Sequence, residues 1–240
     1  METRSIEYGA AHLPDGLRLY AVGDIHGSSD LLQSLLGRIE ADSEARGPAE
    51  VRLMFLGDYI DRGPDSPGVL DLLMEPRAWA RTTCLRGNHE DALLSFIRDP
   101  IESRFWLDWG GLATMRAYGV ASSSELYTMA YQLDRVLPDR HRAFLKAMPV
   151  QESLGDYLFV HAGVDPTLPL DRQDPFTLTT IREPFLTWGK PLEKIVVHGH
   201  TISSEPELLS WRIGIDTGAY HSGRLTALGL EGGRRWLLHT

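Results

Sequence analysis

The 240-residue chain has one cysteine, Cys84, and only three lysines (Lys146, Lys190 and Lys194) against 21 arginines. A lone cysteine excludes an internal disulfide, and Cys84, set in an apolar run, reads as an inert buried residue. No stretch approaches the ~18 consecutive apolar residues that would span a bilayer. The first 15 residues are polar and charged, without an apolar leader. A cytoplasmic protein with no membrane partner is therefore expected. There is no charge block, low-complexity segment or internal repeat, and the net charge is −9. That balance excludes general nucleic-acid binding, which needs a surplus of cations against the phosphate backbone. The preference for Arg over Lys reads as coding bias, and only a few of the arginines can be phosphate forks.

Hydrophobic residues make up 42% of the chain and charged residues 24%, a globular balance in a chain long enough to bury a core. Short β-rich runs recur at 17–22, 51–56, 82–85, 157–160, 194–197, 212–215, 225–230 and 235–239. They end in turns bearing Gly, Asp or His, and their unbroken apolar character predicts strands buried on both faces. Between the early strands, Leu31, Leu32, Leu35, Leu36 and Ile39 keep helical spacing behind the N-cap candidates Ser28, Ser29 and Asp30. Further helices are expected at 67–74 and 90–97. Residues 101–148 read as a mostly helical insert with a loop at 121–125. Its Trp106, Trp109, Met115 and Tyr118 are expected to pack in the core, the alternative being a cap over a site. A βαβα first half and a nearly all-β second half predict an α/β fold: a mixed β-sheet sandwich flanked by helices.

Five segments at strand ends carry polar residues that a core avoids: Gly23-Asp24-Ile25-His26-Gly27, Gly57-Asp58-Tyr59-Ile60-Asp61-Arg62-Gly63, Arg86-Gly87-Asn88-His89-Glu90, His161-Ala162-Gly163 and His198-Gly199-His200-Thr201. Strand ends are where α/β sheets place ligand sites. Any one segment alone is a turn or a hydrogen-bonded histidine. Together they hold five of the nine histidines. Carboxylate and imidazole donors without thiolate suit Mn, Fe, Zn or Ni. Asp58, with two oxygens, could bridge two ions, the usual clamp for phosphate ester hydrolysis.

The five segments resemble the calcineurin-like metallophosphoesterases, most closely the phosphoprotein phosphatase branch in its compact bacterial and phage form. The resemblance implies the fold of that family, a single catalytic domain over 1–240, and direct hydrolysis by a hydroxide bridging two metal ions. It implies Asp24, His26 and Asp58 as ligands of the first ion, and Asp58, Asn88, His161 and His200 as ligands of the second. His89 would be the general acid, Asp61 its orienting partner, and Arg62 a phosphate clamp. Ile181-Arg182-Glu183 resembles a later family segment and makes Arg182 a second clamp. Arg86 is expected to be structural rather than a phosphate contact, and Asp216 receives no chemistry. Manganese is the first expectation for both ions.

In place of the Gly-His-x-His of other branches stands Gly199-His200-Thr201-Ile202, and His198 is expected to stay outside the ligand set. Cys84 has no arginine at the spacing a thiol phosphatase needs. The motifs favour a serine/threonine-type protein phosphatase acting on phosphorylated proteins. The alternative is a symmetrical diadenosine tetraphosphatase acting on a nucleotide, and the remote one an inactive metal-binding relative serving as a binding module.

Overall fold

The computed structural model describes residues 5–7, 11–123 and 125–240. Its strands are β1 (Ser5–Glu7), β2 (Leu17–Val22), β3 (Glu50–Phe55), β4 (Arg81–Cys84), β5 (Gln151–Leu154), β6 (Tyr157–Val160), β7 (Ile195–His198), β8 (Glu207–Leu208), β9 (Arg212–Gly214), β10 (Thr226–Glu231) and β11 (Arg234–His239). The helices are α1 (Ser29–Ala45), α2 (Ser66–Met74), α3 (Asn88–Arg98), α4 (Leu112–Ala117), α5 (Leu126–Val136), α6 (Asp139–Ala147), α7 (Pro175–Thr180) and α8 (Ala219–Ser222).

The strands form two mixed sheets, a six-stranded one in the order β1-β11-β10-β2-β3-β4 and a five-stranded one in the order β5-β6-β7-β9-β8. Within them β2, β3 and β4 run parallel, as do β6, β7 and β9. β2 shows why an unbroken apolar strand suits this place. Its side chains alternate across the sheet, so Leu17, Leu19 and Ala21 enter the layer between the sheets while Tyr20 and Val22 enter the layer under the helices. Phe159, Val197 and Ile213 of the second sheet meet the first group. Leu158, Val160 and Val196 face outward to a third cluster with Leu178, Phe185 and Trp211.

The expected strands are all present, with ends shifted by a residue or so. β1, β5 and β8 were not foreseen, being short strands at or next to the sheet edges. α3 begins earlier than the predicted 90–97, at Asn88, because Gly87 is its N-cap and the Glu90 side chain returns to the Gly87 N–H. Ser28 is the N-cap of α1 but makes no side-chain cap bond; instead the Ser29 hydroxyl donates to Asp65 at 2.6 Å. The second half is less purely β than expected, carrying α7 and α8.

Arg18, in β2, is buried in the six-stranded sheet, and its guanidinium donates to the carbonyls of Ser43 (2.8 Å) and Gly47 (3.0 Å) and to Glu231 (3.0 Å). These bonds tie the end of α1, the turn after it and the end of β10 to the strand that leads to Asp24. Arg18→Ala should lower unfolding free energy by about 3 kcal/mol, the scale of losing one partner of a buried charged network. A urea midpoint close to wild type would contradict this account.

Candidate active site

The five polar segments leave the carboxyl ends of β2, β3, β4, β6 and β7 and meet where the two sheets' parallel strands end. The turns there are unusually tight. Among the described residues five non-glycine residues have positive φ: His26, Asp58, Asp61, Arg62 and His200. All five lie in the motifs, in a conformation that costs an L-residue energy and clusters at functional sites. Gly57 shows why glycine sits among them: with φ +108°, a Cβ there would lie 2.7 Å from His161 Nδ1 and 2.8 Å from Gly87 N.

Asp58 is the hub. Its Oδ2 lies 3.4 Å from His161 Nε2, 3.6 Å from His26 Nε2 and 3.8 Å from His89 Nε2. Backbone carbonyls set the rings: His26 Nδ1 bonds to Ile60 O at 2.8 Å, and His161 Nδ1 to Leu56 O at 2.9 Å. With Nδ1 carrying the hydrogen, each Nε2 is left to direct its lone pair inward. His26 Nε2 is buried and, among the described residues, has no hydrogen-bond partner. His161 Nε2 lies 3.0 Å from Asn88 Oδ1 and 3.2 Å from His200 Nδ1, a crowd of acceptors that only a proton or a cation can satisfy. Donor atoms of His26, Asp58 and His89, and of Asp58, His161 and His200, each form a group that could hold a metal ion. Asp24 stands outside both groups, its carboxylate accepting from the His200 N–H at 3.0 Å.

The electrostatics agree with a cation-seeking site. Burial holds His26 down to about 3, and burial with the neighbouring His161 does the same to His200. Burial also opposes the charge on His161, but Asp58, Asp24 and Glu90 outweigh it and push that ring up to about 10. Asp24 is raised by burial and by Asp216, the carboxylate to which the sequence assigned no chemistry. Asp58, although buried, is held well below the usual range by His161 and His89. A metal ion would take the place of the protons that this arrangement otherwise holds.

Beside the hub, His89 Nδ1 donates to Asp61 Oδ2 at 2.6 Å. Asp61 is fully buried and also accepts from Trp106 Nε1 (2.7 Å) and the Thr114 hydroxyl (2.6 Å). Both donors come from the 101–148 segment, which therefore supports His89. Burial would lower the His89 pKa, but Asp58 and Asp61 together raise it.

Arg62 Nη2 lies 3.2 Å from His89 Nε2, and its guanidinium packs 5.0 Å from the Tyr220 ring centre. Arg182 approaches from the second sheet, donating to the Thr201 hydroxyl at 2.7 Å and the His200 carbonyl at 3.3 Å. Both arginines line a cleft of about 670 Å³ with Asn88, His89, His200, Phe105, Trp109 and Phe176. The aromatic expectation for the insert needs correction here. Trp106 and Met115 are core, but Trp109 is 39% exposed and its ring lies 5.6 Å from that of His89. Arg86 is structural as expected, bonding Asp91 and the carbonyls of Lys146 and Met148. His198 packs against Phe185 and Arg212, away from the hub.

A family model described as calcineurin-like phosphoesterase matches residues 17–227. The chain belongs to this family. As a metallophosphoesterase it is a hydrolase; its family uses divalent metals, and the Asp58 groups are where this chain could bind them. The serine/threonine-protein phosphatase 1 of Salmonella typhimurium is 36% identical over 126 residues, 52% of this chain and 54% of that protein. The match thus spans about half the length of that relative. An asymmetrical bis(5'-nucleosyl)-tetraphosphatase PrpE of Oceanobacillus iheyensis is 24% identical over 232 residues, 88% of each chain. A solved candidate diadenosine tetraphosphatase superposes with a TM-score of 0.67 at 24% identity, covering 95% of this chain and 98% of its own. A cold-active protein tyrosine phosphatase gives 0.62 at 18% identity, covering 97% and 80%. No helix among the described residues is long and apolar enough to cross a membrane.

Glu90 closes the third polar segment, and the sequence suggests no task for it. It is fully buried, and its carboxylate accepts from the N–H groups of Gly87 (2.9 Å), Asp58 (3.0 Å) and Tyr59 (2.8 Å). It thereby locks the Asp58 turn to the start of α3. Glu90→Ala should lower stability by roughly 3 kcal/mol, each orphaned buried N–H costing about 1–3. It should also weaken divalent-metal binding measured by titration calorimetry; wild-type affinity in a folded Glu90→Ala protein would show that the lock does not shape the site.

Proposed function

We propose that the chain is one catalytic domain that hydrolyses phosphoric esters or anhydrides with two metal ions at the Asp58 hub. The observation that carries this is the Asp58 Oδ2 with ring nitrogens of three histidines within 3.8 Å. Asp24, His26 and Asp58 would hold one ion; Asp58, Asn88, His161 and His200 would hold the other. Manganese is the first choice, and the nitrogen and oxygen donor set also suits iron, zinc or nickel. When bound, the ions supply Lewis acidity, activating water and drawing charge from phosphoryl oxygens. Arg62 and Arg182 flank the cleft and bind those oxygens through their guanidinium forks. His89 acts as the imidazolium: Asp61 accepts from Nδ1–H and stabilises the charged ring, which gives its Nε2 proton to the leaving oxygen and is left neutral with the hydrogen on Nδ1. The cytoplasm is the proposed setting.

For the substrate, a dinucleoside tetraphosphate is the reading the cleft favours. Phe105 and Trp109 from the insert and Phe176 from α7 are 40%, 39% and 73% exposed and line the same cleft as His89. Exposed aromatic faces beside phosphate-binding arginines suit a nucleobase. Relatives named as asymmetrical tetraphosphatases match across 88% of the chain, insert included. The second reading, a serine/threonine-type protein phosphatase, draws support from the 36% identity to the Salmonella enzyme.

The two readings separate by kcat/KM of the manganese-loaded protein on diadenosine tetraphosphate and on a phosphoserine peptide. The dinucleotide should be preferred at least tenfold, yielding ATP and AMP if cleavage is asymmetrical and two ADP if symmetrical. A tenfold preference for the peptide would establish the second reading instead.

The acid is tested by two variants. His89→Ala should lower kcat by roughly 10²–10⁴, the usual worth of a general acid, with metal stoichiometry retained by elemental analysis. Because Asp61 raises the His89 pKa, and an acid works only when protonated, the alkaline fall in rate should begin at lower pH in Asp61→Asn. An unmoved alkaline limb would rule out the Asp61–His89 pairing as the source of that ionisation.

A further inference from the structure

A second groove, of about 780 Å³, continues from the cleft and shares Asn88, Phe105, Trp109 and Phe176 with it. Its floor is one stripe of α3. Asn88, Asp91, Ala92, Ser95 and Arg98 line it at the three- and four-residue spacing that puts side chains on one helix face. Asn88 is at the metal hub and Arg98 ten residues on, so the stripe runs about 15 Å at 1.5 Å per residue.

The charges along this groove do not follow the chain's. The chain as a whole carries −9, yet four cations line the groove against two acids. Both acids are already paired, Asp91 with Arg86 at 3.3 Å and Asp134 with Arg142 at 2.8 Å. Arg98 and Lys146 are exposed, and among the described residues neither side chain has a hydrogen-bond or ion-pair partner. Arg98 alone would be an ordinary cation at a helix C-terminus. Lys146 reaches the same groove from α6, a separate element, and it is one of only three lysines. The groove also opens on the correct side, since Trp109 borders both cavities and lies against His89, whose task is to protonate the leaving oxygen.

We infer that this groove is a subsite for a polyphosphate-bearing leaving group, its terminal phosphate toward His89 and the phosphates beyond it held by Arg98 and Lys146. This rests on the dinucleotide reading for its biological use but not for its test. A nucleoside triphosphate is the product that such a leaving group becomes, so ATP is the probe. Inhibition of p-nitrophenyl phosphate hydrolysis by ATP is measured at saturating free manganese, alongside inhibition by inorganic phosphate. In Arg98→Glu/Lys146→Glu the ATP inhibition constant should rise roughly tenfold, the combined scale of two reversed exposed ion pairs. Inorganic phosphate, which reaches the hub but not the far end of the groove about 15 Å along α3 at Arg98, should shift by much less than ATP. Arg98→Gln/Lys146→Gln, which adds no repulsion, should give an intermediate rise.

An unchanged ATP constant in both variants overturns the subsite. So does an equal rise for inorganic phosphate, which would mean that the substitutions act on the metal hub. The two proposals also fail differently. A tenfold ATP shift in an enzyme that does not cleave diadenosine tetraphosphate keeps the groove and removes the dinucleotide reading. Efficient dinucleotide cleavage that is indifferent to the substitutions keeps the reading and removes the groove.

Discussion

One buried negative charge organises this molecule. The Asp58 carboxylate is shut off from solvent, and among the described residues no lysine or arginine lies within ion-pair distance of it. Its neighbours are histidine rings, and burial holds one of them, His26, well below neutral pH. A carboxylate in such a place is expensive unless a cation is supplied. The turn that presents it is also costly, with Asp58, Asp61 and Arg62 all at positive φ. Glu90 and the backbone carbonyls of Leu56 and Ile60 over-determine that turn and the ring orientations around it. Strain and a buried charge, balanced by the raised His161 and His89 rings where no metal ion takes their protons' place, are held in one place by a surrounding frame of ordinary packing.

That frame explains the double-sheet architecture. Each sheet contributes three parallel strands, and parallel strands bring successive carboxyl ends to the same edge. β2, β3 and β4 deliver Asp24, His26, Asp58 and Asn88; β6 and β7 deliver His161 and His200. The layer of Leu, Ile, Val, Met and Phe between the sheets fixes the two sets against one another. The insert has two tasks from one stretch of chain. Its inner residues, Trp106 and Thr114, satisfy Asp61 and so hold the partner of His89. Its outer residues, Phe105 and Trp109, wall the cleft. Changing the insert to alter the cleft would therefore disturb the Asp61–His89 pair unless the inner residues were kept.

Much of this was legible in the sequence. The strands announced themselves because strands buried on both faces must be apolar throughout. The polar residues stood out because a core would never place Asp, His and Asn at the ends of such strands. The supports were harder to read. Glu90, Trp106 and Thr114 act through contacts with residues up to 53 positions away, and nothing in their local pattern distinguishes a buried hydrogen-bond donor from a packing residue. Trp109 misled for the same reason: its helical spacing matches that of Trp106, but the widened turn at Leu107–Gly111, with Gly110 at φ 114°, rotates it out of the core.

By itself the sequence determined the α/β class and the strands, because those follow from local composition and spacing, and its motifs carried the family resemblance, which in turn implied the candidate metal ligands. Only the tertiary structure decided which atoms converge, since the hub gathers side chains from residue 26 to residue 200 and their separations depend on how two sheets pack. It alone showed that the insert supports His89, and that two unpaired cations from α3 and α6 share one groove in a protein of opposite net charge. Charge composition is a sum over the chain, whereas a binding site depends on where the unpaired charges come to lie.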